Sequence, residues 1–260
     1  MGQWFNPQYI ISSMKKKSLL FFGLAFALLV ALGVIAKSSK PAPSPIRPNN
    51  SPAPIATSSP WPATRKVLLD VPFTPQAPLA EWDDPLQQDG CEEAAALMAV
   101  AWARGQKLGS HQASKDKILE IAHWQETNYG NGHDTAAADT VTRIFQGFFG
   151  YHQAEAKTIA DPQAIIEALL AGRLVVTPMD GQKIGNPYYT QPGPERHMIV
   201  IRGWDPQKQQ LITNDPGTRR GEGFAYDLQK FWDAIRDYPT GDHVPITGIN
   251  KVMIVVTKEN

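Results

Sequence analysis

Between residues 18 and 63 the chain carries two consecutive stretches that no globular core can use, and they confine folding to the residues beyond them. Residues 18–36 form a 19-residue run without a charge, long enough as a helix to cross a hydrocarbon core of about 30 Å. Residues 37–63 hold eight prolines among Ser, Ala, Asn and Thr, with neither a helical nor an alternating apolar period. This tract reads as an extended, disordered linker reaching at most about 80 Å at ~3.1 Å per residue. The expected organisation is a cytoplasmic segment over 1–17, a transmembrane anchor over 18–36, the linker over 37–63 and one folded domain over 64–260. Lys15, Lys16 and Lys17 stand directly before the apolar run, so the positive-inside rule puts that end in the cytoplasm and the domain on the far side of a single-pass cell-membrane protein. The apolar run exceeds the usual signal core of roughly 7 to 15 residues, which favours an anchor. The competing reading is a signal peptide cut after the small residues Val34 and Ala36, and it would leave the domain secreted.

Lys+Arg and Asp+Glu are both 25, but residues 1–63 carry six of the basic residues and no acid. The remainder holds 19 basic against 25 acidic residues, a charge of about −6, which argues against nucleic acid as a partner. Cys91 is the only cysteine, so no intrachain disulfide exists. An unpaired thiol outside the cytoplasm invites oxidation unless it is buried or has a task.

Val67, Leu69 and Val71 alternate as a strand would, and a loop then leads to Cys91. There the polar run through Asp83, Asp84, Pro85 and Gln87 to Gly90 breaks into an alanine-rich helical pattern ending at Arg104, with Gly105 as its stop. Ala94, Ala95, Met98, Ala101 and Trp102 follow the cysteine at spacings of three and four, so the sulfur lies on the packed stripe. Small alanines suit a central helix pressed on a sheet. Further helices are expected over 114–127, with Ile118, Ile121 and Ala122 inward, and over 134–149, with Val141, Ile144, Phe145 and Phe148 inward. Another is expected from Asp161-Pro162 to Gly172, and a short one over 227–235. Strands are expected over 174–177, 197–203, 210–213 and 252–257. Helices first and a mostly late, short-turned sheet make an α+β pattern with an antiparallel sheet.

Cys91 stands at a helix start, where free N–H groups and the macrodipole favour a thiolate. The bland alternative is a buried small hydrophobe. A cysteine nucleophile needs a base, and the base an orienting acceptor. His197 opens the strand pattern His-Met-Ile-Val-Ile and shares a face with Ile199 and Ile201. The pattern over 210–213 runs into Asn214-Asp215-Pro216-Gly217, and a short turn at Asp205-Pro206 would return Asp215 to the start of the His197 strand. Taken singly, His197 also reads as a core strand histidine and Asp215 as a turn starter. Helix-start Cys, strand His and strand-end Asp in that order form a catalytic arrangement. His111, His123, His133 and His152 have no metal-ligand spacing, an Asp134 helix cap explains His133-Asp134, and no cofactor is implied.

These residues carry a resemblance. Val71-Pro-Phe-Thr-Pro-Gln76, Gly90-Cys91-Glu-Glu-Ala-Ala-Ala-Leu-Met98, Arg196-His197-Met-Ile-Val-Ile-Arg-Gly-Trp-Asp205 and Asn214-Asp215-Pro216 together resemble the papain-like cysteine peptidases related to the bacteriocin-processing, double-glycine leader peptidases. The resemblance spans residues 65–257 and implies a papain-like fold with its central N-terminal helix on the sheet. It makes Cys91 the nucleophile, His197 general base and then acid, and Asp215 the residue that fixes the imidazole. Such enzymes stabilise the oxyanion with a glutamine ahead of the cysteine together with the cysteine N–H. Gln76 is the choice, with Gln87 and Gln88 as rivals, although fifteen residues separate Gln76 from Cys91 and the usual position, six before the cysteine, is Pro85. Glu92 and Glu93 also depart from the small residues usual after the cysteine. Asp89 and Glu92 have capping-box spacing, and negative charge there would raise the thiol pKa.

Leader peptidases of this type act on the cytoplasmic side, fused to an exporter; this chain has one apolar segment and no nucleotide-binding motif. Fold and chemistry are therefore expected to carry over, and that substrate is not. The first expectation is a membrane-anchored, extracytoplasmic cysteine peptidase acting on peptides or proteins. The second is a cell-wall amidase or an acyltransferase using the same residues, and the third an inactive domain that binds peptide or wall. The loop over 179–195, with Asn186-Pro-Tyr-Tyr-Thr190, is expected to wall a peptide cleft through Tyr188 or Tyr189.

Overall fold

The strands expected from the late part of the chain do form, because each offers apolar residues to both sides of a sheet covered on two faces. The computed structural model describes residues 65–259; the expectations for 1–17, 18–36 and 37–63 lie outside them. Among the described residues no helix is long and apolar enough to cross a membrane. The sheet has seven strands: β1 (Val67–Leu68), β2 (Ala154–Thr158), β3 (Leu174–Met179), β4 (His197–Asp205), β5 (Gln210–Asn214), β6 (Glu222–Asp227) and β7 (Val252–Val256). Their order is β2-β7-β3-β4-β5-β6, with β1 pairing β4. Every pairing is antiparallel.

The helices are α1 (Pro85–Gln88), α2 (Cys91–Ala103), α3 (His111–Tyr129), α4 (Ala137–Asp139), α5 (Gln163–Leu170), α6 (Gly181–Ile184) and α7 (Leu228–Ala234), with a π-helix, Thr140–Phe148, following α4. Alternation along the strands separates two apolar layers. Val176, Met198, Val200 and Ile254 pack with α2, Ile118 and Ile121 of α3, and Ile144 and Phe145. Val175, Ile199, Ile201 and Val255 pack with Ile165, Ile166 and Leu169 of α5 and Phe231 of α7. This is an α+β fold with a central helix on an antiparallel sheet.

Helix α2 is buried along all thirteen residues rather than on one stripe. Alanines 94, 95, 96, 99, 101 and 103 allow this, since a helix with so little side chain can be approached from every side. Its end follows the expected glycine signal: Gly105 has φ +64, Gln106 N–H donates to Ala101 O, and Gly105 N–H donates to Trp102 O, the Schellman pattern. Helix α3 is longer than expected at both ends, because Ser110 Oγ caps its start by accepting from Ala113 N–H and Gly130, in the left-handed region, ends it.

Two expectations need correction. No helix begins at Asp134; the helical segment starts at Ala137 and continues as the π-helix. Asp134 instead accepts from His243 and pairs with Arg196. The capping box at Asp89 and Glu92 also does not form. Gly90 is the N-cap of α2, without a side-chain bond, and the Glu92 carboxylate is taken by Thr135 and Tyr238.

Candidate active site

Short α1 sets the approach to Cys91: Asp84 Oδ1 accepts from Leu86 N–H and Gln87 N–H, and Pro85 opens the helix where no N–H is needed. The chain then turns at Gly90, where a Cβ would come within 2.9 Å of Leu86 O. Cys91 is thus the first residue of α2, and its N–H has no acceptor within the helix.

The β4–β5 hairpin brings His197 and Asp215 together. Val200 pairs with Asn214, so the residue after β5 reaches back toward the first residue of β4. Arg202 is the extra residue of a bulge between Ile201 and Gly203. His197 Nε2 lies 2.8 Å from Asp215 Oδ1, and both side chains are buried. An ionised carboxylate only accepts, so Nε2 carries the proton and Nδ1 is left for a reacting group.

Five donors surround Asp215. Oδ1 also accepts from Gly217 N–H at 3.0 Å, and Oδ2 accepts from Asn186 Nδ2 at 2.9 Å and from the hydroxyls of Tyr189 and Tyr226, both at 2.6 Å. Burial acts to raise this carboxyl. The electrostatic pull of the His197 ring and the bonds from His197, Tyr189 and Tyr226 outweigh it and hold the pKa below the ordinary value. Burial and Asp215 together push both tyrosines up, so they stay protonated as donors. Gly217 must be a glycine, since a Cβ there would sit 2.9 Å from the His197 ring.

Cys91 and His197 line one cleft of about 620 Å³ together with Gln76, Gln88, Asp89 and Pro194. His197 shares strand parity with Ile199 and Ile201, on the side away from α2. At the first position of β4, however, it sits where the sheet ends and reaches the cleft. A second section of about 790 Å³, lined by Trp82, Tyr188, Thr218, Arg219 and Arg220, shares Gln76, Gln88 and Pro194 with the first.

Gln76 is buried; its N–H donates to Pro216 O and its Nε2 to Gln88 O at 2.5 Å, which leaves one amide hydrogen uncommitted. Gln88 lines both sections, whereas Gln87 is fully buried and reaches toward Glu81. Within residues 179–195, Tyr188 is 46% exposed on the cleft wall. Tyr189 lines the same section but is almost fully buried, with its hydroxyl committed to Asp215.

The thiol environment reverses the expectation from the helix start. Cys91 Sγ donates to Glu92 Oε2 at 3.0 Å, while Glu92 Oε1 accepts from Thr135 N–H at 3.1 Å and Tyr238 OH at 2.8 Å. Burial first, and then Glu92 beside it, push the Cys91 thiol up. A macrodipole worth about 0.3–1 kcal/mol does not offset a burial penalty of several kcal/mol per ion. Burial raises Glu92 and Glu93 as well. The sequence signal for this was the acidic pair itself, but its burial on every side was not legible in it.

The family model of the Peptidase_C39 like family matches residues 68–239. The chain therefore belongs to that family. At family level it is a cysteine peptidase. Among solved structures it is similar to a Bacillus anthracis protein described as a C39-like peptidase, at 17% identity and a TM-score of 0.48, over 75% of this chain and 99% of that one. No curated protein matches the chain.

Proposed function

We propose that the protein is a membrane-anchored, extracytoplasmic peptidase that hydrolyses peptide bonds in peptide or protein substrates through Cys91, His197 and Asp215. The observation that carries the reading is the shared cleft of Cys91 and His197, with Asp215 holding the far ring nitrogen at 2.8 Å. In the acylation step His197 Nδ1 takes the Cys91 proton as sulfur attacks the carbonyl carbon. The developing oxyanion accepts from the Cys91 N–H and from the uncommitted Gln76 hydrogen. His197 then returns the proton to the leaving amine, and the thioester is cut by water that His197 deprotonates. Asp215 stays ionised and fixes the imidazole.

The anchor over 18–36 and the linker over 37–63 belong to the same proposal, with the peptidase domain over 64–260. If the full-length chain is released from membranes by alkaline carbonate as readily as a variant lacking 1–36, the anchor is not there.

A second reading, a domain that binds peptide without cutting it, is favoured by the Cys91–Glu92 hydrogen bond. One experiment separates the two: iodoacetamide alkylation of Cys91 against pH, in the full-length chain and in His197→Ala, beside hydrolysis of a peptide library by wild type and Cys91→Ala. The peptidase reading expects alkylation that slows in His197→Ala and hydrolysis lost in Cys91→Ala. Ordinary thiol titration in both chains, with no hydrolysis, would leave the binding domain.

A further inference from the structure

The two sections of the cleft differ in charge. In the section beyond Gln76 the only charged lining residues among those described are Arg219 and Arg220. Both are exposed, and neither guanidinium makes an ion pair among the described residues. Arg220 Cζ stands 4.9 Å from the Tyr188 ring centroid, a cation–π contact that leaves its charge unneutralised. The section holding Cys91 carries Asp89, Asp134, Glu195 and Asp242, and its Arg196 is already paired with Asp134 and Glu195.

The arginine loop is built into the catalytic scaffold. Asp215 N–H donates to Gly221 O, Gly221 N–H to Thr218 O, and Gln76 N–H to Pro216 O. The Arg220 N–H donates to Thr218 Oγ1 at 3.2 Å. These bonds fix the main chain of the loop that presents both guanidinium groups on the wall that runs to Gln76, in a domain whose overall charge is negative. Planar forks of this kind match carboxylates in two-point contact.

We propose that Arg219 and Arg220 select the substrate: a peptide whose acidic side chain lies in this section, at a fixed distance from the bond presented to Cys91. The inference rests on the peptidase reading and names the substrate class of that site.

The test takes the full-length chain through a mixed peptide library with cleavage sites mapped by mass spectrometry. Asp and Glu are expected to be enriched at one position on one side of the cut bond, and the Arg219→Glu, Arg220→Glu double variant is expected to replace them there with Lys and Arg. Cleavage without an acidic preference, or a preference the double variant keeps, overturns the proposal while leaving the peptidase reading intact.

A binding arm uses Cys91→Ala and a fluorescein-labelled hexapeptide carrying two glutamates or two glutamines. The glutamate peptide is expected to bind about fivefold more tightly, the scale of two exposed ion contacts, and to lose that margin in the double variant and at high salt. Equal affinities overturn the proposal. If wild type cuts nothing, the peptidase reading fails, and this arm alone decides whether the arginines select acidic peptide.

Discussion

Cys91 donates its thiol proton to a carboxylate that three groups reach at once, since Glu92 also accepts from Thr135 and Tyr238. Sequence position favours a thiolate here; position in space opposes it. Glu92→Gln keeps an acceptor oxygen for Thr135 and Tyr238 and removes the negative charge that raises the thiol pKa. Its alkylation profile is therefore expected to move to lower pH than wild type, with a faster rate at pH 7. An unchanged profile would mean that burial, with Glu93 and Asp134, sets the thiol without help from Glu92. The Asp215 cage works in the opposite sense: a fully buried carboxylate is kept ionised by His197, Asn186, Tyr189, Tyr226 and Gly217. The order Cys91, His197, Asp215 was legible because each residue carries a local signal, a helix start, a strand start and a turn. Asn186, Tyr189 and Tyr226 were not, since nothing local marks a residue that donates to a partner 11 to 29 positions away.

Helix α2 is the element on which the site depends, and its alanines set how deeply it sits. Ala95 is wholly buried, in the layer with Val176, Met198 and Val200. Ala95→Leu forces extra methylenes into a filled space and is expected to cost about 1–3 kcal/mol, read as a lower urea midpoint at unchanged slope. A midpoint within error of wild type would show slack beside the helix. The pattern predicted α2 and its end at Gly105 because propensity, small residues and the terminal glycine agree. Strands β2 and β6 carry no strand signal of their own. The sequence of β2 is Ala-Glu-Ala-Lys-Thr and that of β6 is Glu-Gly-Phe-Ala-Tyr-Asp. Neither is apolar enough to declare itself, and each becomes a strand through β7 and β5.

Across the whole molecule, buried carboxyls divide by the sign of their shift. Asp215 lies below its ordinary value, so the stability it contributes is present above about pH 3.9 and is lost as pH falls through its folded pKa. Glu92, Glu93 and Asp134 lie above theirs, raised first by burial. For them the folded state binds protons more tightly, so stability falls as pH rises from about 4 toward their raised values. The full-length chain is expected to melt at lower temperature at about pH 8 than at about pH 5, and Glu93→Gln to flatten that decline. Glu93 suits this test because Gln125 bonds Oε1 at 2.6 Å while Oε2 is buried without a partner. A melting temperature that rises over the same range would assign the control to other groups.

By itself the sequence determined the α+β class, the main helices and strands, the Cys91–Arg104 helix pattern, and the placing of Cys91 and His197 on one cleft with Asp215 buried against the His197 ring. These follow from periodicity, caps and turns, which act over a few residues. Only the tertiary structure decided that Glu92 and Glu93 are buried rather than capping, that Tyr189 serves Asp215 while Tyr188 faces the cleft, and that Asp134 answers to Arg196 and His243. Burial and long-range hydrogen bonding are properties of the groups that lie opposite in space, and here those partners are far away along the chain.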